Sequence, residues 1–149
     1  MNNYPFAEIE SKWRRKWEQG GLYTTNMQKT AKKCYCLVMF IYPSAEKMHI
    51  GQWYNYGPTD TWARFKRMQG YNVFEPIGYD AFGLPAENYA IKEGIHPALS
   101  TAENISFIRE QLKVIGAMYD WSKEIDTSSP KYYRWTQWLF LQLYHQGLA

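Results

Sequence analysis

Cysteine is scarce in this chain: two residues in 149, Cys34 and Cys36. At i, i+2 spacing on a strand both thiols point to one face, about two residue rises apart, which makes a mutual disulfide awkward. No further Cys or His stands nearby to complete a zinc ligand set. Both therefore read as reduced, structural thiols in a reducing, cytoplasmic setting. Long apolar runs are missing too. No stretch reaches 18 residues and no secretory leader precedes the first helical segment, so the expectation is a soluble chain with no membrane partner. Charge of one sign is lacking as well. With 17 Lys and Arg against 14 Asp and Glu, the net charge is +3. That permits contact with a polyanion without arguing for one. There are no internal repeats and no low-complexity tracts.

Aromatics are plentiful: 7 Trp, 13 Tyr and 7 Phe, or 18% of the chain. A chain of this length, one domain or a large piece of one, buries only part of that surface. The remainder is expected to face a ligand or a neighbouring domain.

Periodicity divides the chain into three stretches. Residues 1–33 hold an N-terminal helix and a polar connector. Phe6, Ile9, Trp13 and Trp17 fall at helical spacing and Gly20-Gly21 supply a stop. Arg14, Arg15 and Lys16 read as a solvated helix face. Residues 34–99 hold a βαβ core. CYCLVMFIY at 34–42 is short and continuously apolar, the pattern of a buried parallel strand. A helix is expected from about His49 to Gln69, with a kink or restart near Gly57 because Pro58 removes a donor. YNVFEPI at 71–77 reads as a second strand, parallel to the first through a right-handed crossover. A short helix follows. Residues 100–149 form a helical extension, in which Ser100-x-x-Glu103 reads as a capping box opening a helix to Gly116. Ser129-Pro130 opens a last, aromatic-rich helix.

The βαβ pattern directs attention to the carboxyl ends of the strands, where ligands of parallel α/β sheets sit. His49-Ile50-Gly51-Gln52 stands at a helix start, where free N–H groups and the positive dipole end form a phosphate seat. Gly51 leaves room for a flat ring against the backbone, and His49 is a donor to phosphate oxygens. From the tetrad alone, an ordinary helix start that happens to contain His and Gly is the favoured reading. Asp80, just after the second strand, reads as the partner of an ammonium group or as a turn or cap carboxylate. Met39, Phe40 and Tyr42 at the end of the first strand line a small apolar pocket or belong to the core. His96 and His145 read as structural or surface residues.

Taken together, MFIYPSAEKMHIGQWYNYGPTDTWARFKRMQGYNVFEPIGYDAFGLPAENYAI, NISFIREQLKVIGAMYDWSKEI and YYRWTQWLFLQLYHQGLA resemble the nucleotide-binding core of class I leucyl-tRNA synthetases. GYDAFGLPAEN with YDWSKEI is the most specific part, and the likeness runs over nearly the whole chain. It implies an α/β fold: a Rossmann-like parallel sheet with flanking helices, the first half of the synthetase catalytic domain. It implies ATP-dependent activation of leucine to leucyl-adenylate and transfer of the leucyl group to tRNA in protein biosynthesis. The cofactor expectation is ATP as substrate, with Mg2+, and no metal site within the chain. By position, Tyr42, Pro43, His49, Gly51, Gln52 and Asn55 are implied in ATP binding, with His49 and Gln52 at the phosphates as the catalytic pair. Met39, Phe40, Tyr42 and Asp80 are implied in holding leucine, Asp80 and the Phe40 backbone at its ammonium group.

Three positions depart from the family's pattern. Ile41 replaces Pro, Ala45 replaces Gly, and Gln52 replaces the second His of the tetrad. Glutamine offers an amide donor but no proton charge, so the expectation is a recognisable but impaired nucleotide site. The Lys-Met-Ser-Lys-Ser loop, the editing insertion and the anticodon-binding helices of the family do not occur here. The partners expected are thus leucine and ATP, with tRNA engaged only through regions outside this chain. Self-association through an open sheet edge and exposed aromatics is a further expectation. A silent nucleotide- or amino-acid-binding module and an interaction scaffold are the rival readings.

Overall fold

The computed structural model describes residues 4–43 and 48–149. Helix α1, Phe6–Gln19, lies where the aromatic stripe places it and ends at Gly20. It contains no buried residue. Its stripe is only partly covered, with Trp17 tilted against Tyr23 at 6.1 Å and Phe6 exposed.

The first apolar run does not form the single buried strand expected over 34–42. Strand β1 covers Lys33–Tyr35 and pairs in parallel with β2, Asn72–Phe74. Pairing resumes only at Ile41, which bridges Tyr79 of β3, Gly78–Tyr79. Partners lie 39 residues apart in β1–β2 but 38 apart at Ile41–Tyr79, so the first segment carries one extra residue, as in a bulge. Pro76 has no N–H to give a ladder, and the expected strand 71–77 is cut back to β2, with β3 beginning beyond it at Gly78. One face of the first run is open to solvent. Tyr35, Leu37 and Met39 are exposed while Cys36, Val38 and Ile41 are buried. Cys34 and Cys36 do share a face, with Sγ atoms 3.9 Å apart and both thiols free. Burial, with Cys34 alongside, pushes the Cys36 thiol up to about 12, which leaves it inert as a nucleophile.

Helix α2, Ile50–Met68, joins β1 to β2. It runs through Pro58 without a restart. The acceptor that the proline leaves without its helical donor is on Tyr54, and both residues lie on the exposed side of the helix. Helix α3 is Leu84–Glu93 and α4 is Pro97–Val114. The capping box expected at Ser100 is not the helix start. His96 is the N-cap, its ring accepting from the Ala98 N–H at 3.2 Å, and Pro97 takes the first helical position. Ser100 is buried one turn inside, donating to the Pro97 carbonyl, and the division between 99 and 100 falls within α4. A 3-10 turn at Trp121–Lys123 leads to β4, Ile125–Asp126, which pairs in parallel with β3. Helix α5, Pro130–His145, starts at Ser129 as the Ser-Pro pair predicts.

The core lies between α2, α4 and the strand ends: Val38, Ile41, Tyr56, Ile77, Tyr79, Ile105, Ile108 and Leu112 among others. Ile105, Ile108 and Leu112 form the inward stripe of α4, each contributing about 1.5–3 kcal/mol by burial. No helix of the described residues is long and apolar enough to cross a membrane.

Glu75 is the exception within this interior. It is 2% exposed, and neither carboxylate oxygen has a hydrogen-bond partner. Desolvation and the nearby Asp60 carboxylate raise its pKa to about 8, against weaker opposition from Arg64 and Arg67. The folded state therefore holds this proton far more tightly than the unfolded chain, whose value is near 4.5. Stability is fully present below that value and falls as pH rises towards 8, by at most about 1.4 kcal/mol per pH unit. Glu75→Gln should remove this dependence. Urea unfolding should find the variant more stable than the parent at pH 8.5 and similar to it at pH 5; parallel pH profiles would refute the assignment.

Candidate active site

The site residues fall into two groups. The first gathers where Ile41 crosses β3. The Ile41 N–H donates to the Gly78 carbonyl at 3.1 Å, and the Asp80 N–H donates to the Ile41 carbonyl at 2.9 Å. This exchange sets Asp80 beside Tyr42. Asp80 is half-buried, and Thr127 fixes the segment after it by accepting from the Ala81 N–H at 2.9 Å. Tyr42 is 56% exposed and Met39 70% exposed, so neither belongs to the core. Phe40 is half-buried with its ring against Gly78. Pro43 is buried, its carbonyl accepting from Asn104 at 3.0 Å.

The second group is the start of α2. His49 is the N-cap, and it forms a reciprocal box with Gln52. The Gln52 N–H donates to His49 Nδ1 at 3.3 Å, and Gln52 Oε1 accepts from the His49 N–H at 3.0 Å. An accepting Nδ1 puts the imidazole proton on Nε2, and the same cap uses the oxygen of Gln52 and leaves its amide nitrogen as donor. His49 and Gly51 are exposed. A Cβ on Gly51 would come within 3.0 Å of the His49 ring, so glycine there keeps the imidazole in place. Asn55, a turn further on, is half-buried with its Nδ2 unpartnered. The ordinary-helix-start reading of the tetrad is thus partly correct: His49 does cap α2.

Met48 is held by Gln111 of α4, whose Oε1 accepts from its N–H at 2.9 Å. Ala45 lies outside the described residues. An open cleft of about 1460 Å³ reaches Met48, His49, Ile50 and Trp53 from the side of α1 and α4, but none of Tyr42, Pro43, Gly51, Asn55 or Asp80 lines it. Among the described residues no three His, Cys, Asp or Glu side chains converge as metal ligands.

The family model described as tRNA synthetases class I (M) matches residues 35–149. The chain belongs to the class I tRNA synthetases. The leucine–tRNA ligase of Clostridium botulinum (strain Hall) is 61% identical over all 149 residues, which is 18% of that protein's length. That of Caldanaerobacter subterraneus is 62% identical over 143 residues, 96% of this chain and 18% of the relative. This synthetase chain therefore spans about a fifth of the length of such relatives. Among solved structures, the LeuRS of Agrobacterium radiobacter K84, in a ternary complex with tRNA and LeuAMS, superposes with a TM-score of 0.92 at 40% identity, covering 98% of this chain and 19% of that one. Methionyl-tRNA synthetase of Mycobacterium tuberculosis bound by methionyl-adenylate gives 0.69 at 27% identity over 78% of this chain and 22% of that one. The α/β class with parallel strands and flanking helices agrees with both.

Several positioning residues of the synthetase chain escaped the sequence reading. Asn104, Arg109 and Gln111 of α4 and Thr127 were passed over as helix or connector. The available signal was an amide-bearing stripe, Asn104 and Gln111, flanking the apolar one on the same helix. Arg109 grips Glu124 in a bidentate pair, with contacts of 2.8 to 3.1 Å, and Glu124 accepts from the buried Tyr79 hydroxyl. Burial and this carboxylate raise the Tyr79 pKa, so the phenol stays a donor.

Gly78 is where space is tightest. A Cβ there would stand 2.7 Å from the Ile125 carbonyl and 2.8 Å from the Phe40 ring. Gly78→Ala should destabilise the fold by about 1–3 kcal/mol through overpacking. Urea denaturation checks this; an unchanged midpoint would show that β3 and β4 separate freely.

Proposed function

We propose that this chain supplies the amino-acid-activating half-site of a leucine–tRNA ligase. Leucine's carboxylate attacks the α-phosphate of ATP, forming leucyl-adenylate and releasing pyrophosphate, and the leucyl group then passes to the 3′ end of tRNA. The observation that carries this reading is the 61% identity to a leucine–tRNA ligase over every residue of the chain, with Asp80 of GYDAFGLPAEN set beside Tyr42. The Asp80 carboxylate and the Phe40 backbone hold the ammonium group. Met39 and Tyr42 enclose the side chain. Tyr42, Pro43, Gly51 and Asn55 lie along ATP. His49 Nε2–H and the Gln52 amide donate to the phosphates. Such a displacement at phosphorus asks the protein mainly for positioning and charge stabilisation. Mg2+ enters as the counter-ion of the triphosphate, since no carboxylate cage among the described residues suits it. Contacts with tRNA are assigned to the remainder of a longer polypeptide. Calorimetry with a non-hydrolysable leucyl-adenylate analogue tests the reading. Binding in preference to the methionyl analogue is expected, and equal or absent binding would overturn it.

A second reading, a nucleotide-binding module that no longer catalyses, is favoured by Gln52, whose side chain is engaged in the cap of α2. Histidine at this position supplies charge as the leaving pyrophosphate departs. In a polypeptide that also carries the second half-site, Gln52→His should raise adenylate formation on the order of 10²–10³-fold and change ATP affinity far less. Pyrophosphate exchange and ATP titration distinguish the two readings; an unchanged rate would remove position 52 from the transition state.

A further inference from the structure

We propose that Asn104 and Gln111 are positioning residues that clamp two flanks of the site to one face of α4, and that adenylate binding depends on this clamp. The inference rests on the leucyl-adenylate reading above. Asn104 is 1% exposed, and its Nδ2 donates to the Pro43 carbonyl at 3.0 Å. Gln111 Oε1 accepts from the Met48 N–H at 2.9 Å. The two residues are seven apart, which on a helix is one face and a separation of about 10.5 Å. Ile108 lies between them and is buried in the core.

What the two amides hold is backbone, on both sides. Pro43 follows Tyr42 at the strand end. Met48 precedes His49, the residue that caps α2. The strand-end group is tied to β3 by the Ile41–Tyr79 bridge, and the helix-start group rests on the His49–Gln52 box. Neither tie connects the groups to one another. Both groups also meet the core, Ile41 within it and Met48 and Trp53 against it; Asn104 and Gln111 add directed hydrogen bonds, through a helix anchored by Ile105, Ile108 and Leu112. A buried amide is costly unless bonded, and Asn104 is one; Gln111, half-buried, stands on the same face of α4. The bonding senses are opposite: Asn104 gives a proton, and Gln111 receives one. That asymmetry makes the clamp testable by isosteric exchange. Asn104→Asp removes the donor, whereas Gln111→Glu keeps an acceptor and Gln111→Met removes it.

The test compares these variants with Ser100→Ala, which loses a buried hydrogen bond made only to the Pro97 carbonyl within the same helix. Affinity for the leucyl-adenylate analogue is measured well below each unfolding midpoint, so that every chain is folded. Asn104→Asp and Gln111→Met should weaken binding about tenfold or more. Ser100→Ala should lose stability without losing affinity. Amide exchange at Met48 is read in the same samples without ligand. Its protection should fall in Gln111→Met and survive in Gln111→Glu. Folded Asn104→Asp binding as tightly as the parent, or Ser100→Ala losing affinity alongside it, would overturn the clamp. Failure of the parent chain to bind the analogue would instead overturn the leucyl-adenylate reading, and unchanged Met48 protection in Gln111→Met would then overturn the clamp as well.

Discussion

Ile41 makes two backbone hydrogen bonds, one to the Gly78 carbonyl and one from the Asp80 N–H, and the arrangement of the site depends on them. They are the point where the first apolar segment rejoins its parallel partner after the break at Glu75-Pro76. They set the register that brings Tyr42 next to Asp80. Gly78 permits the approach because no side chain separates the Phe40 ring from the Ile125 carbonyl. A slip of one residue would turn Asp80 to the opposite face and place a Cβ in that gap. Isoleucine at position 41, where the resemblance leads one to expect proline, donates the N–H that the Gly78 carbonyl accepts, which proline cannot.

The interior beneath this crossing is unusually polar. Asp60 accepts from the Met118 N–H and pairs with Arg64, and Asp120 accepts from the Thr25 and Ser122 N–H groups. Hydrogen bonds from Thr25 and Ser122 outweigh burial and hold the Asp120 pKa below the usual carboxylate value. Each of these carboxylates is satisfied and ties loop backbone to a helix or turn. Glu75 has the same burial without partners, so it keeps its proton instead. The contrast follows from burial and partners together: a buried carboxylate given N–H groups is a tether, and one desolvated without them, with Asp60 nearby, is a stored proton.

Much of this was legible in the sequence where local chemistry and periodicity agree. Helix α2 falls within a residue of the bounds set by His49 and Gln69, α5 starts at its Ser-Pro pair, and the strands flanking α2 are parallel. The failures share a cause. Unbroken hydrophobicity over 34–42 does not say which face will be covered, and the exposed side of Tyr35, Leu37 and Met39 shows that one is not. The Ser100 capping box was a sound local signal outranked by Pro97 and His96. The amides of α4 were invisible because their partners are backbone atoms about 60 residues away. The surplus of aromatics was correctly read as exceeding what the chain buries: α5 has no buried residue, and among the described residues only its Tyr133 meets the rest of the fold through a ring contact, tilted against Phe82 at 5.5 Å.

The reciprocal box at His49 gives the start of α2 a resident acceptor. The imidazole already occupies an N–H that the helix end would otherwise present to an anion. The same N–H also donates to the His49 carbonyl at 2.9 Å, against 3.3 Å to the ring, so an anion meeting this end would compete with acceptors already in place. The affinity of such an end reports the difference between two acceptors, oxygen anion and neutral nitrogen, rather than the full attraction of a bare helix terminus. An end capped in this way favours a charged acceptor over a neutral one, because a weak acceptor gains little by replacing the imidazole.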